Sequence, residues 1–569
     1  MRALLLQCDF EGGRMLDKLK NLGSVQRTLL NLFITIVVGL IYFYVTLPAI
    51  NLQDPEFYTY FIVLALLFCV LSIVTQGISN INVQDGKEIL KVIKDYCFIP
   101  AILTAALIAI FGIGHLISAP VFRAGAYQKL LTVEQGDFTQ DIHEVSFDKI
   151  PMLDQDSATR LGTRKLGELP DMVSQFEVAS DYTQINYKGH PVRVTPLLYG
   201  DVIKWFNNRK EGLPAYLIVD MVTQNVDVVR ISEIAPGETG IKYTTAEHFG
   251  SFLYRHLRFN YPTFIFDAAT FEINEEGVPY WVCPRIVKRI GLFGGTDIQG
   301  AVLVNAITGE CTYYDDNEVP SWVDRCYTAE LIIEQYDYYG MYVNGFINSF
   351  LGQRGVTETT DGYNYIVNED DVYMYTGITS VGTDNSNLGF ILTNQRTKET
   401  HYYPIAGAEE YSAAASAEGI VQHLSYKATF PLLLNISSQP TYFMALKDSA
   451  GLVKQYAMVN VQQYQIVANG DTVAECEANY RRILAQNNLG ETPVEIEKTA
   501  VEGTIEDIRS AVIEGNTQIY AKLKNDSFYY VFYASSSPEA VLLNVGDNVI
   551  VKWHEEAGAL RFASSFEKK

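Results

Sequence analysis

The sequence predicts an α-helical membrane anchor with three transmembrane helices, followed by a soluble α+β region that ends in a small β-barrel. Three long apolar runs within the first 119 residues predict the anchor. The 37 Tyr and 29 Phe of the 569-residue chain indicate a β-rich soluble part, because aromatic residues favour strands. Strand–turn–strand patterns that recur beyond residue 200 predict repeated units of a helix and an antiparallel hairpin.

The anchor is expected at residues 1–119, with helices at about 28–50, 57–78 and 97–119. None of the three runs contains Asp, Glu, Lys or Arg, and each has the roughly 20 residues that a bilayer core requires. His115 lies near the end of the third run, where a neutral imidazole reaches the interface. Without buried charged partners, the three helices are interpreted as an anchor and not as a transport path.

The orientation of the anchor follows from the basic residues of the short flanking segments, which favour the cytoplasmic side. The stretch before the first run and the loop between the second and third are basic, whereas the loop between the first and second has no Lys or Arg. We therefore expect a multi-pass protein of the cell membrane with a cytoplasmic N-terminus and an extracytoplasmic soluble region. The reverse topology stays open, because Arg123 and Lys129 follow the third run. The basic residues that carry the prediction are Arg2, Arg14, Lys18, Lys20, Arg27, Lys87, Lys91 and Lys94.

The charge of the soluble region excludes one class of partner. Residues 1–119 hold eight basic and eight acidic residues, so the formal net charge of −23 belongs to the rest of the chain. An acidic surface repels nucleic-acid phosphates, and nucleic acid is not an expected partner. The expected partners are the lipid bilayer, through the N-terminal helices, and another envelope protein or polymer.

Composition divides the soluble part into four segments. Residues 120–182 are predicted as a membrane-proximal connector of mixed helix and loop. Within it, Asp154 and Ser157 are good N-cap residues, and a capped helix is favoured over a calcium loop, which needs more oxygen ligands. The other segments are two α+β regions and a barrel domain, at residues 183–320, 321–487 and 494–569.

A repeated pattern is the most informative feature of the two α+β regions. Four segments that begin at Tyr216, Ala301, Phe390 and Phe443 each read as an apolar strand, a polar turn and a second strand. Asp, Asn and Thr suit tight turns because their side chains bond the nearby backbone. Helices are predicted between these hairpins, at 198–208, 244–259, 321–339, 407–426 and 472–486. The residues aligned at the same place in the four turns are Asp220, Asn305, Asn394 and Lys447.

Within residues 183–315 the chain resembles the PepSY domain, a small extracytoplasmic module of a helix and a hairpin. The similarity rests on the helix AEHFGSFLYRHLR, the strand PYWVCPRIVKR, and VLVNAITGECTYY, which is similar to the strand–Asp–x–x–Thr–Gly–Glu ending of the family. The sequence departs at Asn305, where the family usually has Asp. The resemblance implies a link to the inhibition or localisation of secreted peptidases.

The C-terminal segment resembles a small closed barrel of the oligonucleotide/oligosaccharide-binding (OB) type. Alternating strands and the turn Val545-Gly546-Asp547 carry this likeness. Such barrels often bind nucleic acid, but this segment has little basic charge, although Tyr529, Tyr530 and Tyr533 supply aromatic rings. A structural or protein-binding barrel is therefore favoured.

No residue is predicted to be catalytic, to bind a cofactor or to ligate a metal. His248 and His256 are predicted to share a helix at a spacing of eight, whereas a metal pair uses four. The run from Gly291 to Gly295 is interpreted as a hairpin turn and not as a phosphate loop. Whether the cysteines of the soluble part form disulfides is left open, and they are Cys283, Cys311, Cys326 and Cys476.

The function expected from these features is that of a membrane-anchored extracytoplasmic protein of the cell envelope, acting as a binding or scaffolding module without catalysis. One alternative is a PepSY-type regulator of a secreted peptidase. The other is an envelope enzyme whose active-site residues are dispersed in the sequence and meet only in the fold.

Overall fold

The computed structural model describes residues 22–80, 94–144, 150–368, 371–382, 386–489, 499–513, 516–534, 537–557 and 559–569. Cys8, the basic residues at positions 2 to 20, Lys87, Lys91 and the start of the predicted barrel domain lie outside the described residues.

Three N-terminal helices are long and apolar enough to cross a membrane, which confirms the prediction of three such helices. Phe33, Leu40 and Ile113 are among the large apolar side chains that these helices expose, as lipid-facing positions require. Between the first two helices, Asn31 donates a 2.8 Å hydrogen bond to Thr75, the kind of polar contact that holds helices together in lipid. The helices span Ser24–Thr46 (α1), Pro55–Asn80 (α2) and Phe98–Ser118 (α3).

The segment predicted as a connector, residues 120–182, contains several regular elements. Its first part contains a helix directly after α3, a short strand and one further helical turn. Its second part holds a helix whose N-cap is Asp154, where a carboxylate oxygen accepts a 3.0 Å bond from the Ser157 N–H; the predicted cap is confirmed. These elements are Pro120–Tyr127 (α4), Val133–Gln135 (β1), Phe138–Asp141 (α5) and Gln155–Gly167 (α6).

Four antiparallel sheets follow, and all four have the same internal strand order. In each sheet two short strands pair with the two halves of a long third strand, which pairs with a fourth, and a fifth strand completes the sheet. A helix precedes each set of strands. The mixed α+β organisation is therefore confirmed. We name the four repeats the first unit (155–230), second unit (253–314), third unit (329–403) and fourth unit (410–470).

The first unit begins with α6 and its short strand β2, both of which the sequence placed in the connector. Its helix between the third and fourth strands starts later than predicted, because the third strand runs on to Tyr199. The elements are Phe176–Val178 (β2), Thr183–Tyr187 (β3), His190–Tyr199 (β4), Val202–Asn208 (α7), Ala215–Asp220 (β5), Val226–Arg230 (β6) and Ile231–Ile234 (α8).

In the second unit the predicted helix 244–259 is interrupted. Phe249 has φ +52°, a left-handed conformation that a helix interior does not accept, and the regular helix begins only at Leu253. His248 and His256 therefore do not share a helix, and that prediction is wrong. The elements are a 3-10 turn at Phe249–Ser251, Leu253–Asn260 (α9), Ile265–Phe266 (β7), Thr270–Ile273 (β8), Pro279–Ile290 (β9), Gly294–Asn305 (β10) and Cys311–Tyr314 (β11).

The third unit gains an additional edge strand from outside the repeat. Strand β1 pairs in parallel with the fifth strand of this sheet, Val133 opposite Thr400. The elements are Ala329–Met341 (α10), Gly345–Phe350 (α11), Thr357–Thr359 (β12), Asn364–Asn368 (β13), Asp371–Ser380 (β14), Ser386–Asn387 (β15), Gly389–Asn394 (β16), Thr400–Tyr403 (β17) and Gly407–Ala408 (β18).

The fourth unit has a helix before its strands and another after them. The following helix buries Cys476 and Tyr480 within the core of this unit. The elements are Glu410–Ile420 (α12), Lys427–Ala428 (β19), Leu432–Ile436 (β20), Gln439–Lys447 (β21), Val453–Asn460 (β22), Val467–Gly470 (β23) and Val473–Gln486 (α13).

The turn after the fourth strand has the same geometry in all four units. A side-chain oxygen of the first turn residue accepts hydrogen bonds from the backbone N–H groups two and three positions later, at 2.7–3.1 Å. In the fourth unit that residue is Asn460, whereas Lys447 ends the third strand; the predicted alignment of Lys447 is wrong. The equivalent residues are Asp220, Asn305, Asn394 and Asn460.

Neighbouring units share hydrophobic cores, so the array is packed throughout. One core contains Tyr216 of the first unit and Phe271 of the second. A further core joins Leu303 of the second unit to Ile378 of the third, and the largest joins Phe390 of the third to Phe443 of the fourth.

The tip of the β9–β10 hairpin, Gly291 to Phe293, docks the second unit onto the membrane helices. Ser118, the last residue of α3, accepts hydrogen bonds of 2.9 and 3.0 Å from the Leu292 and Phe293 N–H groups. The Phe293 ring contacts His115 at a centroid distance of 4.7 Å, and also Phe111 and Tyr58. The predicted hairpin turn is confirmed, and it is the point where the soluble region meets α3.

A second contact joins the same unit to the loop between α1 and α2. Arg258 is only 9% exposed, and its guanidinium donates to the Leu47 carbonyl at 2.9 Å and the Phe264 carbonyl at 2.6 Å. Arg255 donates to the Tyr44 carbonyl at 3.1 Å. The second unit is thus held directly on the ends of the anchor helices.

The five C-terminal strands pair in a closed order. In chain order, the first strand pairs with the second and the second with the third. The third then pairs with the fifth, the fifth with the fourth, and the fourth with the first. The first strand is long enough to pair with both of its neighbours, and the third and fifth pair in parallel. A 3-10 helix, Pro538–Leu542, lies between the third and fourth. The strands are Thr499–Ile513 (β24), Asn516–Leu523 (β25), Tyr529–Tyr533 (β26), Asn548–Ala557 (β27) and Leu560–Lys568 (β28).

Candidate ligand-binding site at the junction of three units

A cavity of about 180 Å³ lies where the first, third and fourth units meet. The segment before α6 forms one wall, β3 and β4 a second, and strands of the third and fourth units the remainder. Sites at the junction of structural units are common places for ligands. Polar groups on its lining include Gln184 and Arg193, and apolar ones include Tyr365, Phe430 and Met444.

Arg193 is the most unusual residue of this lining. It lies in β4, directly opposite Gln184 of β3 and Val219 of β5, and is 8% exposed. Its guanidinium donates two long hydrogen bonds, 3.3 Å to the Leu153 carbonyl and 3.4 Å to the Gln184 side-chain oxygen. Both acceptors are neutral.

No carboxylate among the described residues forms an ion pair with Arg193. Burial lowers the pKa of Arg193 to about 10, and the nearby positive charge of Arg325 acts in the same direction, while Asp154 opposes them. A buried guanidinium that remains charged needs compensation, and the neutral acceptors supply only part of it.

Asp154 lines the same cavity, but its carboxylate already forms an ion pair with Lys447. Besides capping α6, its second oxygen accepts a hydrogen bond from Lys447 at the end of β21. Burial raises the pKa of Asp154, but the bonds from Lys447 and Ser157 outweigh it, and the net pKa is lowered. The carboxylate is thus held ionised by a partner from the fourth unit.

Arg325 supplies a second positive charge behind the cavity wall. Its guanidinium lies 4.0 Å from the centre of the Tyr365 ring and donates a 3.2 Å bond to the Gln395 side chain. Gln184 in turn donates to the Tyr365 carbonyl at 3.4 Å. The hydrogen bond from Gln184 therefore links the first and third units at this wall, and Arg325 lies behind it.

A buried acidic pair lies on the second-unit side of this network. Glu272 is fully buried and accepts bonds from the Asp324 N–H at 2.8 Å, the Arg325 N–H at 3.2 Å and the Thr270 hydroxyl at 3.1 Å. Burial raises the pKa of Glu272. Asp324 accepts a 2.7 Å bond from the Asn186 N–H of the first unit. These carboxylates hold three segments together and do not line the cavity.

The sequence predicted no site residue, and Arg193, Gln184 and Tyr365 were missed. The available signal was a single arginine in a largely apolar strand, HPVRVTPLLY, because long charged side chains are rarely buried without a partner. The sequence could not show that the segment before α6 and the fourth unit enclose it.

The cysteines are free thiols in the described part of the chain. Cys283 and Cys326 are buried, and burial raises the pKa of Cys311 to about 11. The two histidines predicted to share a helix make contacts within the fold. The His256 ring nitrogen lies 2.7 Å from the Gly309 carbonyl oxygen, and His248 packs on the Trp205 ring.

Comparison with known proteins gives little further information. The chain matches no family model and no curated protein. Among solved structures, a levansucrase variant from B. megaterium aligns over 77% of this chain and 96% of that one, at 10% identity and a TM-score of 0.16. A similarity of that size carries no argument about fold or function.

Proposed function

We propose that this protein is a membrane-anchored, extracytoplasmic component of the cell envelope that acts as a non-catalytic binding or scaffolding module. The observation that carries the proposal is the direct attachment of the second unit to the ends of the anchor helices by Ser118 and Arg258. Such an attachment fixes the orientation of the whole packed array relative to the membrane. A fixed array suits the presentation of a binding surface.

The C-terminal barrel supports the same proposal. Its closed order of five strands supports our expectation of a small barrel of the OB type, and such barrels present one sheet face and adjacent loops to ligands. Its exposed apolar residues, Val512, Leu542 and Val545, favour a protein partner over a nucleic acid.

The membrane topology is tested by thiol labelling of intact cells with an impermeant maleimide, comparing Lys94→Cys and Val512→Cys. The native Cys311 and Cys326 are poor reporters because they are partly or fully buried. We expect labelling of Val512→Cys above that of the unsubstituted chain, and labelling of Lys94→Cys no higher than that of the unsubstituted chain. The opposite pattern would place the soluble region in the cytoplasm.

The binding role is tested by a photo-crosslinking amino acid placed at position 512, 542 or 545 of the full chain in its native membrane. We expect discrete crosslinked products with an envelope protein or polymer. Hydrolase or transferase activity of the purified full-length protein, with no crosslinked product, would instead favour the enzyme alternative.

The PepSY-type regulator remains a second candidate because the second unit has a helix, α9, followed by the hairpin β9–β10 and the turn at Asn305. This candidate is distinguished from a binding module by its effect on a peptidase. Deletion of the gene would change the activity of a secreted peptidase, and a peptidase would be recovered with the protein. Unchanged peptidase activity would count against it.

A further inference from the structure

We propose that the junction cavity binds a small organic carboxylate, with the Arg193 guanidinium as its charge partner. This inference rests on the proposed function as a binding protein and names the chemistry of one ligand. The geometry that carries it is a buried guanidinium that lines a cavity, has only neutral acceptors and has no ion pair among the described residues.

The charges around the cavity favour an anion. The Asp154 carboxylate forms an ion pair with Lys447, and the Arg325 guanidinium is a second positive charge near Arg193. Arg193 is therefore a charged group of the lining that has no ion pair among the described residues, and an incoming carboxylate would supply one. Arginine presents a planar fork of N–H donors that matches a carboxylate in two-point contact.

The other lining residues favour a carboxylate whose remaining part is apolar. Tyr365, Phe430, Phe443 and Met444 contribute aromatic and thioether surface beside the guanidinium. A cavity of about 150 Å³ is large enough for a benzene ring, so the volume of about 180 Å³ accommodates an aromatic or branched acid of similar size. Inorganic phosphate would pair with the Arg193 charge but would not contact the apolar part of the lining.

The test uses the full-length protein in detergent, with benzoate, its neutral analogue benzamide, and inorganic phosphate as probes. Calorimetric titration and the thermal unfolding midpoint are both measured. We expect saturable binding of benzoate and a midpoint that rises with its concentration, with little effect of benzamide or phosphate. Equal effects of benzoate and benzamide would overturn the assignment of Arg193, and an effect of phosphate alone would overturn the choice of a carboxylate.

The variant Arg193→Gln separates binding from folding. It should weaken benzoate binding by roughly tenfold or more, since a hydrogen bond to a charged group is worth about 1.5–3 kcal/mol. Without ligand its unfolding midpoint should equal or exceed that of the parent, because an uncompensated buried charge is removed. Arg193→Lys keeps the charge without the fork and should bind benzoate with intermediate affinity.

Arg230→Gln is the matched control, because Arg230 is half-exposed and already pairs with Asp171 at 2.9 Å. It should bind benzoate like the parent. If Arg193→Gln folds and still binds benzoate normally, the proposed site is wrong. The crosslinking experiment at positions 512, 542 and 545 does not depend on this cavity, so a failure here leaves the proposed scaffolding role standing.

A different observation supports a second proposal: we infer that two flanks of the soluble region lie in the lipid headgroup layer beside the anchor. On one flank, α4 starts directly after α3 and exposes Val121 and Phe122. Helix α11 lies next to α4, because Phe346 packs against the buried cluster that includes Ala124 and Tyr127 of α4. The exposed apolar residues of this neighbour are Val343, Ile347, Phe350 and Leu351.

The other flank adjoins the end of α1. Phe259 contacts the rings of Phe43 and Tyr44 in the last turn of that helix. Arg255, which bonds the Tyr44 carbonyl, also donates a 2.6 Å bond to the Phe249 carbonyl. The ring of Phe249 lies 6.0 Å from that of Trp205 in α7. This path of contacts connects α7 to the last turn of α1 through Phe249 and Arg255.

The composition of α7 fits a membrane interface. Val202, Ile203 and Phe206 are exposed, and the Arg209 guanidinium covers the Phe206 ring at 4.3 Å. Exposed apolar residues beside basic side chains are typical of helices that lie in the headgroup region. Both apolar flanks are continuous with the lipid-facing helices, so lipid is the partner that reaches them without a further chain.

The test places an environment-sensitive fluorescent amino acid at position 203, 351 or 512 of the full chain in lipid nanodiscs. We expect a blue-shifted emission that brominated lipids quench at positions 203 and 351. Position 512, in the barrel, should show neither effect although Val512 is 70% exposed. Emission at 203 and 351 that bromolipids do not quench would overturn the proposal, and a concentration-dependent blue shift in that case would indicate a second copy of the chain.

Discussion

The second and fourth units have the same strand order but use their central hairpins differently. In the second unit the tip between β9 and β10 is apolar and contacts the membrane helices through Phe293. In the fourth unit the tip between β21 and β22 is polar, and Asp448 organises it by accepting the Ala450 and Leu452 N–H groups. That tip contacts α6 of the first unit, where Arg160 donates to the Ala450 carbonyl.

The difference shows that the sheet provides a constant scaffold while the hairpin tip selects the neighbour. Residues at a tip do not pack within their own sheet, so their chemistry is free to change without loss of the strand register. One tip joins the array to the apolar N-terminal helices, and the other joins the last unit back to the first.

The largest effect is expected at the membrane end of the second unit. Arg258→Met removes the donor that holds the Leu47 and Phe264 carbonyls, and we expect a loss of about 2–4 kcal/mol in unfolding free energy. Denaturant titration of the full chain in detergent measures it. Arg230→Met, at a half-exposed ion pair, should cost less than about 1 kcal/mol. Equal losses in the two variants would contradict a special role of Arg258.

A smaller effect is expected at the corresponding contact of the fourth unit. Lys447→Met removes the partner of Asp154 and should cost about 1–3 kcal/mol at neutral pH. Because pairing lowers the pKa of Asp154, its contribution is present above the unfolded pKa of about 3.9 and is lost as pH falls through the lowered folded pKa. The difference between parent and variant should therefore shrink in acid, and a difference that grows in acid would contradict the ion pair.

The shared turn provides an internal comparison between the two units. Asn305→Ala and Asn460→Ala each remove an acceptor of two backbone N–H groups. We expect each to cost about 1 kcal/mol, as for the loss of a helix N-cap. Thermal unfolding measures both, with Asn317→Ala at an exposed position of the 3-10 turn Asp316–Glu318 as control. A neutral Asn460→Ala would show that the turns are not equivalent.

The smallest effect concerns the boundary between the third and fourth units. Glu410 is fully buried, accepts a 3.1 Å bond from the Thr360 hydroxyl, and burial raises its pKa. A raised folded pKa favours the protonated group, so its stabilisation is present below the unfolded pKa of about 4.3 and is lost as pH rises through the folded pKa. The thermal midpoint of the parent should fall with rising pH relative to Glu410→Gln. Parallel pH profiles would contradict this.

The error at Lys447 shows how far pattern alone can reach. In every unit the fourth strand pairs with the third strand and with the fifth. In the fourth unit both pairs read as an apolar strand, a polar turn and another strand. The predicted alignment used the turn between β21 and β22, whereas the turn equivalent to Asn305 is at Asn460, between β22 and β23. Only the strand pairing distinguishes them, because it shows which strand lies at the sheet edge.

The sequence alone predicted the features that depend on local chemistry. These are three uncharged runs long enough to cross lipid, the helix cap at Asp154, and the turns at Asp220, Asn305 and Asn394. Each of these depends on residues within a few positions of one another. The tertiary structure alone decided the Lys447–Asp154 pair, which joins positions 293 residues apart, and the enclosure of Arg193 by three units. Such contacts depend on how whole sheets pack, and no local pattern encodes that packing.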